Sequence, residues 1–170
     1  MKIELKKFQF FERMSEETNA FVADVYVNGK KVAYAKNDGH GGDTYYHPYA
    51  TDNALLRKAE EYCLSLPPIK YPAEHGMEAF EIKMNLTHFI DDLVTAEIKK
   101  KDQKKMEKKM EKAIMWGVPN GYRYTQVAFK VPLAQIPRPQ LQMYVNKYKS
   151  QFKEGEQFLN TNLESLGIKI

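Results

Sequence analysis

The stretch "AFVADVYVNGKKVAYAKN", residues 20–37, decides the fold. Two runs rich in β-branched and aromatic residues flank Asn28 and Gly29, a pair that accepts positive φ in a two-residue hairpin turn. With that turn, Val25 is expected to face Val32 across the two strands. The sequence therefore predicts an antiparallel β-hairpin in the first third of the chain.

Two helices are predicted after this hairpin. Thr51 or Asp52 is expected to cap the first one, which runs to Leu66 and ends before two prolines. Asn85 is a good N-cap for a long second helix, about residues 86–114, whose first half carries apolar residues at helical spacing. The second half of that helix is rich in lysine.

The rest of the chain adds strands and a third helix. Residues 2–12 and 78–84 are predicted strands, and β character resumes after a turn at residues 119–121. Pro139 suits the first turn of the third helix, and Gly155 is expected to end it. The predicted fold class is α+β: an antiparallel sheet with an N-terminal Asn-Gly hairpin, packed by about three helices, one of them long and lysine-rich. The expected core includes Leu55, Tyr62, Phe89, Leu93, Val127, Phe129, Val145 and Tyr148.

Composition limits the class of protein. A chain of 170 residues with 43% apolar residues favours one globular domain, residues 1–170, from which the long helix could project. A single cysteine, Cys63, excludes an internal disulfide. The chain has no apolar run near the length of a membrane span and starts without a secretory apolar segment, so a cytoplasmic location and no membrane partner are predicted.

The stretch "KNDGHGGDTYYHPY", residues 36–49, is the first candidate site. Its glycines could let backbone amides approach an anion, and its tyrosines with a nearby lysine could stack a base. A tight loop with no ligand is the third interpretation. A second aromatic-basic cluster, residues 122–124, lies on a later turn. The predicted ligand-binding set combines the two regions: Lys36, Asn37, Gly41, Gly42, Tyr45, Tyr46, His47, Tyr122, Arg123 and Tyr124.

A metal is a weaker hypothesis for the same stretch. His40, Asp43 and His47 offer two imidazoles and a carboxylate, the ligand types of open iron or zinc sites. This trio would make the protein a metal-assisted hydrolase. The sequence lacks the G-x-S-x-G, H-E-x-x-H and C-x-x-C motifs, which disfavours an enzyme with a familiar catalytic mechanism. No cofactor is predicted.

The long helix carries the second candidate site. Residues 97–112 hold eight lysines against four acids, a surplus equal to the net charge of +4 of the whole chain. Lysines in regular rows favour an anionic partner, although a solvated helix is an equal alternative. Met106 and Met110 mark another side, which could dock on a partner helix or a second copy. The predicted partner surface is Lys100, Lys101, Lys104, Lys105, Lys108 and Lys109.

The segments "ETNAFVADVYVNGKKVAYAKNDG" (17–39) and "FKEGEQFLNTNLESLGIKI" (152–170) resemble small uncharacterised proteins of bacteriophages and of mobile elements of gut bacteria. The resemblance brings no known activity, and implies a short cytosolic protein that binds a host component. The favoured hypothesis is a binding protein for a nucleotide, a nucleic acid or an acidic host protein. The alternatives are the metal-assisted hydrolase and a structural or protein-interaction module with no small-molecule ligand.

Overall fold

The computed structural model describes residues 1–49, 53–73 and 76–170. These residues form nine β-strands and three α-helices, which confirms the α+β class. The chain divides into two compact units, Met1–Lys99 (unit 1) and Lys100–Ile170 (unit 2). The expectation of a single domain stays a prediction. No helix among the described residues has the length and apolar character needed to cross a membrane.

Unit 1 is built on a four-stranded antiparallel meander. Its strands are β1 (Ile3–Phe10), β2 (Phe21–Val27), β3 (Lys30–Asn37) and β4 (Tyr45–Pro48). They lie side by side in sequence order, so each strand pairs with its neighbour along the chain. Both faces of β2 are largely buried, as expected for an inner strand.

The predicted hairpin turn is confirmed. Asn28 and Gly29 have φ values of 47° and 81°, the left-handed pair that a two-residue turn requires. The predicted register is wrong by one residue, because Val25 lies opposite Ala33. A bulge between Val25 and Tyr26 shifts the pairing beyond the turn, and sequence alternation does not reveal such an extra residue.

One helix and the first part of a second helix belong to unit 1. Helix α1 (Ala54–Leu64) is capped by Asn53, whose side-chain oxygen accepts the Leu56 N–H at 3.1 Å. The caps expected from the sequence, Thr51 and Asp52, lie outside the described residues. Helix α2 (Leu86–Met110) begins as predicted, since the Asn85 side chain accepts the His88 N–H at 2.8 Å.

The core of unit 1 combines the sheet with α1 and the first part of α2. Its largest buried side chains include Phe21, Val25, Val32, Leu56, Ile90 and Val94. A separate two-stranded sheet pairs β5 (Ile69–Tyr71) with β6 (Phe80–Ile82), which confirms the strand predicted at 78–84.

Unit 2 is built on a three-stranded antiparallel sheet of order β8-β7-β9. The strands are β7 (Ala113–Gly117), β8 (Tyr124–Ala128) and β9 (Gln157–Phe158). Every residue of the central strand β7 is buried. The predicted extension of the second helix to about residue 114 is therefore wrong, since residues 113 and 114 already belong to β7.

Two asparagines explain where α2 ends. Asn162 donates its amide to the Met110 carbonyl at 2.9 Å, which satisfies a carbonyl at the end of the helix. Asn160 donates to the Ala113 carbonyl at 2.9 Å and accepts the Met115 N–H at 2.6 Å. These bonds join residues about fifty positions apart, so the local pattern of the helix could not show its end.

Helix α3 (Arg138–Lys149) covers one face of the unit 2 sheet. Pro139 lies in its first turn as predicted, but the helix ends at Lys149 instead of continuing to Gly155. Trp116 on β7 stacks on Tyr148, with ring centroids 5.3 Å apart.

The expected core residues lie in or against the observed cores. Val145 is fully buried. The others are half-buried and pack against the buried cluster of their own unit: Leu55, Tyr62, Phe89 and Leu93 in unit 1, and Val127, Phe129 and Tyr148 in unit 2.

Candidate functional site

The first candidate stretch, residues 36–49, folds as a second hairpin. Residues 38–44 join β3 to β4, with Lys36 opposite Tyr45 and Tyr34 opposite His47. Paired residues of an antiparallel ladder share a face, so Lys36, Tyr45 and His47 come together on one side of the sheet. Tyr46 lies on the other side and packs against the core of unit 1.

The glycines of this loop allow close packing against the segment before β2. The Gly39 carbonyl accepts the N–H groups of Glu16, Glu17 and Thr18 at 3.0 to 3.3 Å. Gly39 has φ of 90°, and a Cβ added there would collide with the Met14 carbonyl. The Gly39 N–H is bonded to the Asn37 side-chain oxygen, so this amide of the loop is not turned outward toward an anion.

Asn37 holds the loop closed. Its side-chain oxygen accepts the Gly39 N–H and the Thr18 hydroxyl, each at 2.8 Å. Its amide donates to the Gly42 carbonyl at 3.2 Å. The side chain is buried, so this predicted ligand contact already has partners inside the protein.

The charges around the loop are mostly negative. Lys36 lies 3.4 Å from the Asp38 carboxylate, and His40 Nδ1 lies 3.1 Å from the Glu16 carboxylate. A Cβ on Gly41 would meet the carboxylate of Glu17. Lys36 and His40 thus lie beside acids, which disfavours an anion site here.

Thr44 ties the end of the loop to α2. Its hydroxyl donates to the Asp91 carboxylate at 2.5 Å. Burial raises the pKa of Asp91 above the ordinary value of 3.8, and the Thr44 hydrogen bond opposes that rise. The bond joins residues far apart in sequence and fixes the loop from a second direction.

The metal trio does not converge. Across residues 1–49, 53–73 and 76–170, no group of three or more His, Cys, Asp or Glu side chains is placed to hold a metal ion. All three members of the trio, His40, Asp43 and His47, lie within these ranges.

Two tyrosines of the stretch donate hydrogen bonds within unit 1. The Tyr46 hydroxyl donates to Glu60 at 2.7 Å, and burial together with this carboxylate raises the pKa of Tyr46 to about 12. Cys63, nearby on α1, is fully buried, and burial raises its thiol pKa to about 11. A protonated, buried thiol is a poor nucleophile.

The other donor, Tyr49, identifies a residue that sequence reasoning missed. Its hydroxyl donates to the buried carboxylate of Asp24 at 2.6 Å, and Lys31 lies 3.0 Å from the same oxygen. The Tyr49 hydrogen bond lowers the pKa of Asp24 most, and the charges of Lys31 and Lys7 add to it against the opposing effect of burial. The sequence does contain a signal for Asp24, because it is a charged residue inside the otherwise apolar run of β2.

The second candidate cluster lies in unit 2, on the turn between β7 and β8. Asn120 has φ of 59° there, as a tight turn requires. Tyr122 is fully exposed, and Arg123 and Tyr124 are also exposed. Lys109 of α2 donates to the Tyr124 hydroxyl at 2.9 Å, with its ammonium 5.7 Å from the ring centroid.

The methionine side of α2 packs within unit 2. Met110 is buried and clusters with Ala113 and Met115, while Met106 and Leu159 pack against them half-buried. This corrects the expectation that Met106 and Met110 form a seam for a partner helix or a second copy. The sheet of unit 2 occupies the position expected for a partner.

The packing of the methionines fixes the orientation of the lysine rows. Successive helical residues are about 100° apart. With the methionines against the sheet, Lys101, Lys105 and Lys109 form the row on the Tyr124 side of α2. Glu107 and Glu111 lie on the opposite flank. All five of these charged side chains are exposed, and Lys105 lies 3.3 Å from the Asp102 carboxylate.

Only one predicted cluster shares a compact unit with the lysine rows. Residues 36–49 belong to unit 1, whereas Tyr122, Arg123 and Tyr124 and all six predicted partner lysines belong to unit 2. No family model matches the chain, and neither a curated protein nor a solved structure matches it. The function is therefore inferred from the geometry of unit 2.

Proposed function

We propose that this protein binds an anionic partner through the lysine–tyrosine surface, defined as Lys101, Lys105, Lys109, Arg123 and Tyr124. The proposal includes a cytoplasmic location and an origin in a bacteriophage or mobile element, in keeping with the resemblance of the two quoted segments. The partner belongs to a class that carries regularly spaced negative charge: a nucleic acid or an acidic protein.

The contact between Lys109 and Tyr124 carries this proposal. At 2.9 Å, it puts an exposed aromatic-basic turn beside a row of lysines in one compact unit. Like charges four residues apart on a helix repel each other, by a few tenths of a kcal/mol per pair. A bound polyanion removes that repulsion and releases counterions.

Titrations at two salt concentrations test the proposal. Labelled single-stranded DNA, single-stranded RNA and polyglutamate are added to the wild type, and binding is followed by fluorescence anisotropy. We expect binding of at least one polyanion at low salt, with affinity that falls linearly in log-log coordinates as salt rises. Binding of none of the three at low salt, where attraction is strongest, would contradict the proposal.

A matched pair of double variants locates the surface. Lys105→Glu with Lys109→Glu reverses two charges on the Tyr124 side of α2, and Lys100→Glu with Lys104→Glu makes the same change on the opposite flank. For a nucleic acid, the first pair should flatten the log-log salt slope by about 1.4, the value for two lost contacts with a single strand. Equal effects of the two pairs would show that general charge, and not this surface, governs binding.

A further inference from the structure

We propose that strand β8 accepts an extended acidic peptide as an additional antiparallel or parallel strand of the unit 2 sheet. This inference rests on the proposed function, since the lysine–tyrosine surface borders the same strand. It names the partner class as an acidic peptide segment in extended conformation.

β8 is an open edge of its sheet. Its partner β7 lies on one side only, in the order β8-β7-β9. Phe129 donates its N–H to the Lys112 carbonyl at 2.7 Å, which fixes the alternation of the ladder. Consequently Thr125 and Val127 direct their backbone groups toward β7. The backbone groups that point to the open side belong to Tyr124, Gln126 and Ala128, all of them exposed residues.

The outer edge of the unit 1 sheet at β1 is guarded. A bulge interrupts β1 between Lys6 and Gln9, and Lys7 adopts φ of 51° within it. Bulges and lysines at a sheet edge prevent another strand from adding. The opposite edge of that sheet, β4, is four residues long and ends in Pro48, which has no N–H to donate.

The remaining edges among the described residues are short. β9 has two residues, and β5 and β6 have three each, with a lysine and a glutamate paired at their centre. β8, with the sequence "YTQVA", has five residues and carries no charge, proline or bulge. Of the edges described, β8 is thus the one without a device against strand addition.

The charges beside β8 specify the chemistry of the added strand. Tyr124, Gln126 and Ala128 share the face of Met115, because they lie opposite Gly117, Met115 and Ala113 in the ladder. The end of α2 packs on that face. Side chains on the same face of an added strand therefore lie nearest to the row formed by Lys101, Lys105 and Lys109. Alternate side chains of a strand share a face, and carboxylates at every second position suit this arrangement.

The experiment uses a fluorescent seven-residue peptide of alternating glutamate and threonine, with an alternating lysine–threonine peptide as the control. Hydrogen exchange of individual amides is measured on the full chain with and without each peptide. We expect the glutamate peptide to slow exchange at Tyr124, Gln126 and Ala128 at least tenfold, because their outward N–H groups become paired. The lysine peptide should leave these amides unchanged.

A backbone variant provides a second measurement. Gln126→Pro removes one outward N–H, and a proline is tolerated on an edge strand at such a position. We expect about fivefold weaker binding of the glutamate peptide, corresponding to one hydrogen bond. Gln126→Ala keeps the N–H and should bind as the wild type does. Far-UV circular dichroism of each variant verifies that it is folded.

The outcomes separate the two proposals. Salt-sensitive binding of the glutamate peptide without protection of the three amides overturns strand addition and leaves the anionic-partner proposal intact. Binding of oligonucleotides but not of the peptide does the same. Protection of these amides without peptide, together with a dimer in solution, would show that a second copy occupies the edge and would overturn the inference. Binding of neither peptide nor nucleic acid overturns both proposals.

Discussion

The two tyrosine-rich turns of this protein, residues 36–49 in unit 1 and residues 118–124 in unit 2, differ in how many of their polar groups are bonded within their own unit. In the first, Asn37 and Gly39 are bonded to other parts of unit 1. In the second, Tyr122 extends fully into solvent. The first turn carries more histidine, glycine and acid.

The comparison teaches that polar composition does not identify a binding site. A buried polar group needs a partner, and a loop rich in such groups can supply its own. What distinguishes a candidate surface is a set of donors and aromatic faces that the fold leaves turned outward. Tyr45 of the first turn is also exposed, but the turn in unit 2 shares its compact unit with the lysine rows and is therefore the stronger candidate.

The largest expected effect comes from Gly39→Ala. The added Cβ would collide with the Met14 carbonyl and force a residue with φ of 90° to carry a side chain. We expect unit 1 to lose about 3 kcal/mol or more of unfolding free energy. Urea denaturation followed by hydrogen exchange of the β2 and β3 amides measures the loss, and fluorescence of Trp116 monitors unit 2 separately.

Gly42→Ala is the matched control for Gly39. Gly42 also has positive φ, at 100°, but a Cβ there meets nothing within 4 Å. Only backbone strain remains, so a loss of about 1 kcal/mol is expected. If the two variants were equally stable, close packing of the loop against Met14 would not be the reason for glycine at position 39.

Local signals predicted part of this fold. The turn at Asn28 and Gly29 and the cap at Asn85 are each decided within a few residues, and both are confirmed. The end of α2 depends on Asn160 and Asn162, which approach only when β9 docks on β7. Bonds between residues so far apart in sequence leave no periodic pattern. The helical spacing therefore predicted a helix that runs past Met110 into strand β7.

The candidate sites also combine features that the sequence shows locally with features that only the packing of distant segments creates. The lysine rows of α2 follow from helical spacing, and the sequence displays them directly. The position of Tyr124 beside Lys109 depends on the packing of Met106 and Met110 against the sheet. The partners of the first loop come from residues 14–18 and from Asp91, and no spacing rule relates these segments to it.

The next expected effect is a pH dependence caused by Asp24. Its pKa in the folded protein lies below the ordinary value of 3.8, chiefly because of the Tyr49 hydroxyl. A lowered carboxyl pKa stabilises the fold above that ordinary value, and the contribution is lost as pH falls toward the folded pKa. Asp24→Asn should therefore destabilise unit 1 at pH 7 by about 2 kcal/mol and flatten its loss of stability in acid.

Tyr49→Phe refines the Asp24 prediction. It removes the hydrogen bond that lowers the pKa most but keeps Lys31 at 3.0 Å, so its acid transition should fall between those of the wild type and Asp24→Asn. Acid titration followed by far-UV circular dichroism gives both transitions. An acid transition of Asp24→Asn identical to that of the wild type would rule out this carboxylate as the cause.

The smallest expected effect compares one chemical change in the two regions. Tyr46→Phe removes a half-buried hydroxyl that donates to Glu60 at 2.7 Å, whereas Tyr124→Phe removes an exposed hydroxyl that accepts from Lys109. We expect the first to lower the unfolding free energy by about 1 kcal/mol and the second by less than about 0.5 kcal/mol, measured by urea denaturation.

Two further readouts make this Tyr-to-Phe pair decisive. Absorbance titration at alkaline pH should lose a tyrosine that ionises near pH 12 in Tyr46→Phe, since Tyr46 has a pKa of about 12. Tyr124→Phe should keep that transition and also keep the salt slope of polyanion binding, because the Lys109 ammonium remains. A larger loss of stability in Tyr124→Phe than in Tyr46→Phe would reverse the comparison, because the turn of unit 2 would then be the region held by its own hydrogen bonds.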